Sequence, residues 1–480
     1  MNQKRLVKNY LLNLTYQILS FIIPLMTTPY ISRVLTEIEI GQYGYTHSVV
    51  TYFVLFGSMG MNLYGQREIA YQQQNVISQK KIFLELVQLR ISAMSIVTLI
   101  YLMFIQLFPQ YRILFYIQIF DLLASAVDIS WFFQGREEFN KTVIVQSVVK
   151  VIGAVAIFSL VKSPKDVGLY VACLSVPLFL GNLFMWTYLP QIFIGVGTIK
   201  IERFRHLKTV WALFVPQIAI EVYTVLDKTM IGLITGLDSE VGYYEQAQKI
   251  VKTALVVVTS LGTVMLPRVS SVLKNEKDVN VFSMIYRSFR VAILLAVPIA
   301  FGLFSASRSL VIWFMGERYL HSAELIQIIC PVIIFIGIAS VTGNQFLVPM
   351  NMSKEYTYSV LIGASVNIFM NSFLIPRHAA VGASIATVMA EFVVTSFQLF
   401  FIRKKINLKK VYNESKKSII AGIIMLIGTI GLNYLNIKPF FLLCIQVVIG
   451  GIIYFGVLLV LKDETVLNVL KKIRIKQRKR

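Results

Sequence analysis

The stretch FFLLCIQVVIGGIIYFGVLLVL occupies residues 440–461 and contains no charged side chain. A helix of about 20 apolar residues is long enough to cross the hydrocarbon core of a bilayer. The run is continuously apolar instead of alternating, which favours a helix over a strand of a membrane β-barrel. Residues 440–461 therefore predict that the chain is an integral membrane protein.

The composition of the whole chain indicates the same class. Of 480 residues, 56% are hydrophobic and 15% are charged, whereas soluble domains carry about 25% charged residues. A single soluble core stops growing at about 250–300 residues, so lipid must solvate much of this apolar surface. The three cysteines and four histidines show neither disulfide nor metal-site spacing, and we expect no metal.

Apolar runs of similar length recur along the chain and predict an all-α membrane protein with about fourteen transmembrane helices. The runs at 323–347 and 357–375 are the least regular of them. The predicted spans are 10–32, 43–63, 82–106, 111–133, 142–161, 168–190, 209–234, 251–266, 291–314, 323–347, 357–375, 380–402, 418–435 and 439–461.

Prolines inside several of these spans predict bent or broken helices. Such bends are tolerated in a membrane where the freed backbone groups face protein or water. The two helices that open the first and the second half of the chain, spans one and seven, each contain one. The prolines in question are Pro24, Pro177, Pro216, Pro298 and Pro331.

The distribution of basic residues orients the spans. If the N-terminus is cytoplasmic, the cytoplasmic segments contain 33 of the 46 Lys and Arg residues and the external segments contain 8. This bias follows the positive-inside rule and places both termini in the cytoplasm. The net charge of +22 then reflects topology and contact with anionic lipid, so nucleic-acid binding is not required.

A basic segment at 191–208 divides the first twelve spans into two groups of six. Gly41 after span one and Gly242 after span seven begin similar Gly-x-Tyr motifs. Two six-helix lobes around a central cavity are a common transporter architecture. We expect an N-terminal lobe at 1–190, a cytoplasmic linker at 191–208, a C-terminal lobe at 209–402, and a helix pair with a basic cytoplasmic tail at 403–480.

Charged residues inside the predicted spans mark a polar route. Each costs about 2.5–3.5 kcal/mol at a helix centre, so they must face partners or water. Asp121 and Asp128 are expected on one face of span four, and Asp128 is expected to join Arg90 and Lys150 in a cluster. The full set is Arg90, Asp121, Asp128, Lys150, Asp227, Lys228 and Glu391.

Enzymatic signatures are missing from the sequence. It contains no P-loop, no DxD motif and no Gly-x-Ser-x-Gly elbow. A membrane polymerase or ligase for lipid-linked sugars usually carries a large external loop, but the longest external segment here is 235–249. We therefore expect a transporter that is not an enzyme and has no cofactor, with a proton or sodium gradient left open as its energy source.

Several motifs resemble those of Wzx-type polysaccharide flippases, in the polysaccharide-transporter branch of the multidrug/oligosaccharidyl-lipid/polysaccharide exporter superfamily. PYISRVL (29–35) with GQYGY (41–45) resembles the start of that family, and DISWFFQGREEF (128–139) resembles its signature after span four. Thr36 departs from the glycine expected after RVL, which puts that local turn in doubt. Further matches are FVPQIAIEVYTVLDKTMIG (214–232), VGYYEQAQKI (241–250), MLPR (265–268) and GASIATVMAE (382–391).

The resemblance implies a function in the bacterial cell membrane. It implies flipping of undecaprenyl-diphosphate-linked oligosaccharides to the outer leaflet, by alternating access through a cationic cavity, for capsule, O-antigen or another surface polysaccharide. Polymerase and chain-length proteins of the same pathway are the partners it suggests. The sequence leaves open the sugar, the pathway, the coupling ion, the oligomeric state and the ground-state conformation.

Candidate site residues follow from this reading. Basic side chains would attract the diphosphate, acids would balance them or carry a coupling proton, and aromatic rings would stack on sugars or anchor at the membrane interface. The cations are Arg33, Arg67, Arg90, Arg136, Lys150, Lys228 and Arg268; the acids are Asp128, Asp227 and Glu391; the aromatic residues are Tyr43, Trp131 and Tyr244.

Two rival transporters remain open from the sequence, besides the polymerase or ligase. A multidrug antiporter of the same superfamily would need an acidic, aromatic cavity, whereas bases here are at least as numerous as acids in the spans. A peptidoglycan-precursor flippase is separated only by its substrate. For the preferred function, we expect Arg90→Ala or Lys150→Ala to lower flipping while membrane insertion stays normal.

Overall fold

The computed structural model describes residues 3–194, 197, 199–202, 204–275 and 279–467. All regular elements in these ranges are helical, which confirms the predicted all-α class. The first ten helices are α1 (Gln3–Val34), α2 (Glu37–Ser58), α3 (Met61–Tyr71), α4 (Val76–Ile105), α5 (Arg112–Ile117), α6 (Ile119–Ala126), α7 (Ser130–Gly135), α8 (Phe139–Leu160), α9 (Val167–Phe184) and α10 (Leu189–Ile192).

The remaining helices follow the basic segment at 191–208. A π-helix, Ser340–Leu347, continues α15, and short 3-10 turns join several other helices. The helices are α11 (Leu207–Thr235), α12 (Asp238–Asn275), α13 (Val279–Phe314), α14 (Leu320–Ile329), α15 (Val332–Ala339), α16 (Ser353–Ile402), α17 (Leu408–Ile430) and α18 (Pro439–Val460).

The helices have the length and hydropathy of a multi-pass membrane protein. Within the described ranges, eight helical segments are long and apolar enough to cross a bilayer, and a bent pair makes a ninth. That pair, Glu317–Ile329 with Val332–Leu347, bends by 44° next to Pro331, as the proline predicted. Ser353–Ile402 is broken at Ala379 (φ 43°) and covers two predicted spans. The membrane class is confirmed, and fourteen crossings stay a prediction.

Local sequence explains where several helices begin. The Thr36 side chain accepts a hydrogen bond from the N–H of Ile38, and Glu39 completes a capping box for α2. Thr36 has an extended backbone (φ −83°), so this turn needs no glycine. Asn75 caps α4 in the same manner, and Pro439 begins α18, where its missing N–H has no helical partner to lose.

The chain divides into two compact units. Unit 1 comprises Met1–Gly232 and Leu237–Gly242, and unit 2 comprises Leu233–Gly236 and Tyr243–Arg480. Span seven, α11, belongs to unit 1 because it packs on α2. The hydroxyls of Ser48 and Thr229 are 2.8 Å apart across that contact.

The glycines that begin the two Gly-x-Tyr motifs meet inside unit 1. A Cβ on Gly41 would collide with the backbone oxygen of Asp238, and a Cβ on Gly242 would collide with the backbone oxygen of Glu37. Each glycine therefore faces the carbonyl four residues before the other. Reciprocal contact of this kind is the geometry expected of repeat-related residues, and only glycine permits so close an approach. The repeat along the rest of the chain stays a prediction.

The trailing helix pair packs within unit 2. Helices α17 and α18 lie against each other and against α13. Their contact is a buried apolar cluster that includes Val297 of α13, Met425 of α17 and Tyr454 of α18. The C-terminal pair is therefore part of the core of unit 2 and does not form a separate domain.

Candidate functional site

The guanidinium of Arg90 lies where span four breaks between α6 and α7. It donates to Oδ1 of Asn62 (2.6 Å) and to the backbone oxygen of Asp128 (3.2 Å), and it lies 3.8 Å from the Asp128 carboxylate. Arg90 is 2% exposed. A broken helix leaves carbonyl groups unpaired within the membrane, and Arg90 satisfies one of them. The pair therefore fixes the break.

Asp128 and Trp131 organise the other side of this break. The Asp128 carboxylate accepts the N–H of Ser130 (2.8 Å), and the Trp131 indole N–H donates to the Asp128 backbone oxygen (3.2 Å). Trp131 packs on Phe83 and against Gly65, where a Cβ would collide with the indole ring. The most distinctive sequence motif, DISWFFQGREEF, thus forms much of the apolar core of unit 1.

Two features of the predicted charged cluster differ from the structure. Residues 127–129 are not helical, so Asp121 and Asp128 do not share one continuous helix face. Lys150 does not join Arg90 and Asp128, because its side chain extends toward α1. The structure therefore pairs one carboxylate with one cation at the break.

Lys150 lies near the middle of α8, a predicted span, and is half-buried. Its ammonium donates to the Ser20 hydroxyl (2.6 Å) and lies 4.4 Å from the centroid of the Tyr16 ring. Among the described residues no carboxylate pairs with it. A hydroxyl and an aromatic face stabilise an ammonium without neutralising it. Lys150 therefore lies inside the membrane-spanning part of unit 1 with a hydroxyl and an aromatic ring, and no described carboxylate, as its contacts.

The other candidate cations divide by whether an acid neutralises them. Arg67 pairs with Glu68 (3.2 Å), and Arg136 pairs with Glu138 (2.9 Å) and also contacts Gln79. Burial disfavours the charged form of Glu138, but hydrogen bonds from Lys141 and Arg136 outweigh it and lower the pKa of this carboxyl. Both arginines therefore form ion pairs that stabilise segments near the ends of the spans.

Three candidate cations remain. Arg33 at the end of α1 is exposed, and Lys228 in α11 is buried, with 8% of its surface exposed. Both take part in interactions with other residues. Arg268 lies outside the residues whose side chains the structure describes. The structure therefore singles out Lys150 as the candidate cation in a span without an acidic partner among the described side chains.

The remaining candidate acids lie in different units. Asp227 is 3% exposed in α11 of unit 1, beside Lys228. Glu391 is half-buried in α16 of unit 2. Both have interaction partners, so neither is an isolated carboxylate. A role for these acids in balancing charge or carrying a coupling proton stays a prediction.

Two of the three candidate sugar-stacking rings are covered by protein. Trp131 is 1% exposed in the core of unit 1. Tyr244 is fully buried in unit 2, where its hydroxyl contacts Thr387 (2.9 Å) and Gln248 (2.8 Å). Both rings are therefore packed inside the protein in this conformation, and their role in sugar stacking or interface anchoring stays a prediction. Tyr43 is half-buried and stacks on His47 with ring centroids 5.3 Å apart.

The basic linker is tied to unit 1 by a buried chain of polar groups that the sequence did not reveal. His206 lies between the Tyr64 hydroxyl (2.7 Å) and the Glu85 carboxylate (2.8 Å). Glu85 also accepts the backbone N–H of Glu202 (2.9 Å). Lys81 contacts Glu202 at 2.5 Å and lowers the pKa of its carboxyl. Nothing in the spacing of these residues indicated the contact.

Unit 2 contains a polar interior of a different kind. Gln398 in α16 accepts from the Thr342 hydroxyl (2.5 Å) and donates to Ser359 (3.2 Å). Asn371 donates to Asn367 (3.1 Å) one turn away, and both are fully buried. These groups are amides and hydroxyls, so the hydrogen bonds between them involve no net charge.

The chain was compared with known proteins. A profile of the family described as "Polysaccharide biosynthesis protein" matches residues 6–273. A protein of Escherichia coli described as "Putative O-antigen transporter" is 24% identical over 418 residues, covering 84% of this chain and 98% of that protein.

Solved structures with the same fold are transporters and flippases by name. "Lipid II flippase MurJ, inward closed conformation" matches with a TM-score of 0.65 and 16% identity, over 92% of this chain and 100% of that one. An inward-facing multidrug resistance transporter of the MATE family matches with a TM-score of 0.61 and 12% identity, over 82% and 94%. At these identities the likeness establishes the fold. Because the family profile covers more than half of the sequence, the chain belongs to the polysaccharide biosynthesis protein family.

Proposed function

We propose that this protein is a flippase that moves an undecaprenyl-diphosphate-linked oligosaccharide from the cytoplasmic to the outer leaflet. The observation that supports this function best is Lys150, an ammonium near the middle of α8 with no carboxylate partner among the described residues. A charge at that depth is costly, and charges kept there mark the route of a substrate or an ion. An anionic diphosphate is the ligand such a cation attracts.

The proposed mechanism uses charges in unit 1 for two purposes. Arg90 and Asp128 pair at the break in span four, so each side chain largely neutralises the charge of the other. Lys150 offers its ammonium to the diphosphate while the prenyl chain stays in lipid and the sugar passes a hydrated interior. The Ser20 hydroxyl and the Tyr16 ring hold the ammonium in place before the ligand arrives. Alternating access past this cationic interior then completes translocation.

The biological setting follows from the same proposal. We place the protein in the bacterial cell membrane with both termini cytoplasmic, acting in O-antigen, capsule or related polysaccharide synthesis beside polymerase and chain-length proteins. It would carry out no chemical reaction, and a proton or sodium gradient would supply the energy. The E. coli relative named as an O-antigen transporter supports this setting.

A deletion strain tests the proposal. Lipid-linked oligosaccharide should accumulate in the cytoplasmic leaflet when the gene is removed, and the wild-type gene should restore its surface exposure. Drug susceptibility measured in the same strains separates the multidrug alternative. A deletion that leaves oligosaccharide exposure normal and changes only drug susceptibility would overturn the proposal.

A further inference from the structure

A small cavity lies inside unit 2, away from the charged groups of unit 1. Its volume is about 80 Å³, and α12, α13, α15 and the π-helix contribute to its wall. That volume is well above the about 10–15 Å³ that one water molecule needs. π-Helical turns often occur at functional sites. Its lining includes Val258, Arg287, Ser288, Val291, Val341 and Gln345.

Two buried polar side chains in this wall have no hydrogen-bond partner. They are Ser288, which is 8% exposed, and Gln345, which is 2% exposed; the Ser288 Oγ and the Gln345 Oε1 are unbonded. Most buried polar groups in proteins are paired, and an unmade bond costs about 1–3 kcal/mol. Thr342, in the same π-helix, does have a partner in Gln398. The cavity wall therefore offers two unpaired polar side chains to a ligand.

Arg287, a cation, lines the same cavity. Arg287 is exposed, and no acid pairs with it among the described residues. Arg290, less than one turn further along α13, pairs with Glu464 at 3.0 Å. A guanidinium has parallel N–H groups that match two oxygens of a phosphate. The ligand that suits this wall is therefore anionic and rich in oxygen.

We propose that Arg287, Ser288 and Gln345 bind the phosphate group of a membrane lipid. The Ser288 hydroxyl and the Gln345 amide donate to phosphate oxygens, with the amide turned so that its NH₂ group faces the cavity. The apolar wall, which includes Val258 and Val341, covers the first methylene groups of the lipid chain. Arg287 lies in the third turn of α13, at the end that the basic-residue bias assigns to the cytoplasmic leaflet.

The phosphate has two possible sources, an anionic phospholipid or the polyprenyl carrier, and binding can be measured without transport. The full chain is reconstituted in nanodiscs of phosphatidylcholine and phosphatidylglycerol in equal parts, with or without undecaprenyl phosphate. Native mass spectrometry then counts the lipids that stay bound. Retention of phosphatidylglycerol identifies the phospholipid source, and its displacement by undecaprenyl phosphate identifies the carrier.

Variants separate this site from general lipid contact. Arg287→Gln should lower the bound anionic lipid by about tenfold, the loss of one charge-assisted contact. Ser288→Ala should lower it by about threefold, the loss of one neutral hydrogen bond. Arg308→Gln is the matched control, because Arg308 is also exposed on α13, also lacks a partner among the described residues, and lies outside the cavity wall.

The outcomes are unambiguous because the measurement reads binding and not flipping. Loss of bound lipid in Arg287→Gln and Ser288→Ala, with Arg308→Gln like the wild type, supports the site. Equal binding in Arg287→Gln and the wild type, or an equal loss in Arg308→Gln, overturns it. A failed flipping assay would leave this result untouched, since the site does not rest on the proposed function.

Discussion

The two units bury different kinds of polar side chain. The described charged residues that are buried in unit 1 lie in or beside its spans: Glu85, Arg90, Asp227 and Lys228. In unit 2, the described charged residue buried to the same extent is Asp463, which follows α18 and accepts hydrogen bonds from the N–H groups of Thr465 and Val466. The buried polar groups within its spans are amides and hydroxyls.

This contrast teaches which unit depends on charged side chains buried in its spans. A buried ion pair is expensive to break, since removing one partner leaves a charge in a low-dielectric interior. A neutral network loses only hydrogen bonds, and in membranes each is worth little. Substitutions that remove a charge should therefore destabilise unit 1 most, and substitutions that change the shape of a side chain should destabilise unit 2 most. Lys150, a span cation with no described acidic partner, belongs to unit 1.

The largest effect is expected when the ion pair of unit 1 is broken. Asp128→Ala leaves the Arg90 guanidinium buried without its carboxylate, and we expect a loss of about 3–5 kcal/mol in stability. Detergent-solubilised protein should unfold at lower temperature and yield less folded material. The double variant Arg90→Met with Asp128→Ala should recover much of the loss. If the double variant is as unstable as Asp128→Ala, the charge is not the cause.

This prediction revises an expectation drawn from the sequence. Arg90→Ala was expected to leave insertion normal, but Arg90 is buried and bonded to Asn62 and Asp128. We now expect Arg90→Ala to lower the amount of folded protein as well as flipping. Measuring both quantities in the same membranes separates the two effects. A normal folded yield with low flipping would return Arg90 to the group of ligand-binding cations.

An intermediate effect is expected at the contact between the two Gly-x-Tyr motifs. Gly41→Ala and Gly242→Ala each place a methyl group against a backbone oxygen, and overpacking of this kind costs about 1–3 kcal/mol. The two variants should be destabilised equally if the contact is reciprocal. Gly451→Ala in α18 is the control, because no atom lies within 4 Å of its added Cβ. Unequal losses in melting temperature would argue against the repeat relation.

The smallest effect is expected in the neutral network of unit 2. A double-mutant cycle with Thr342→Val and Gln398→Leu should give a coupling of about 0.6 kcal/mol and no more than about 1.7 kcal/mol. Thermal unfolding of the four proteins measures it. A coupling as large as the loss expected for Asp128→Ala would remove the contrast between the units.

The sequence predicted the helical class well because hydropathy is a local signal. The run at 440–461 became α18, and the run at 142–161 became α8 within a few residues. It also identified Arg90, Asp128 and Lys150 as unusual, because charge in an apolar run is visible without a structure. The break of span four at Asp128 was not predicted, since it contains no proline.

Contacts between side chains far apart in the sequence could not be predicted from it. Asn62 contacts Arg90, and Ser20 and Tyr16 contact Lys150. No sequence pattern marks these three partners, because the contacts depend on how the helices pack. Trp131 shows that packing can also bury a side chain that the sequence suggested for ligand binding. A large aromatic residue next to an acid suggested sugar stacking, but packing against Gly65 and Phe83 buries its ring.

The central claim is that the Lys150 ammonium meets the substrate diphosphate. The most direct measurement is the initial rate of flipping of a labelled undecaprenyl-diphosphate oligosaccharide in proteoliposomes, at equal protein. Lys162→Ala is the matched control, since Lys162 lies beside α8 and contacts Tyr30 of α1 (Nζ 5.7 Å from the ring centroid) as Lys150 contacts Tyr16.

Lys150→Ala should lower the rate by about tenfold or more, the value of a lost charge-assisted contact. Lys150→Arg should retain most of the rate because it keeps the charge, and Lys162→Ala should match the wild type. A wild-type rate in Lys150→Ala would contradict the claim, as would an equal loss in Lys162→Ala.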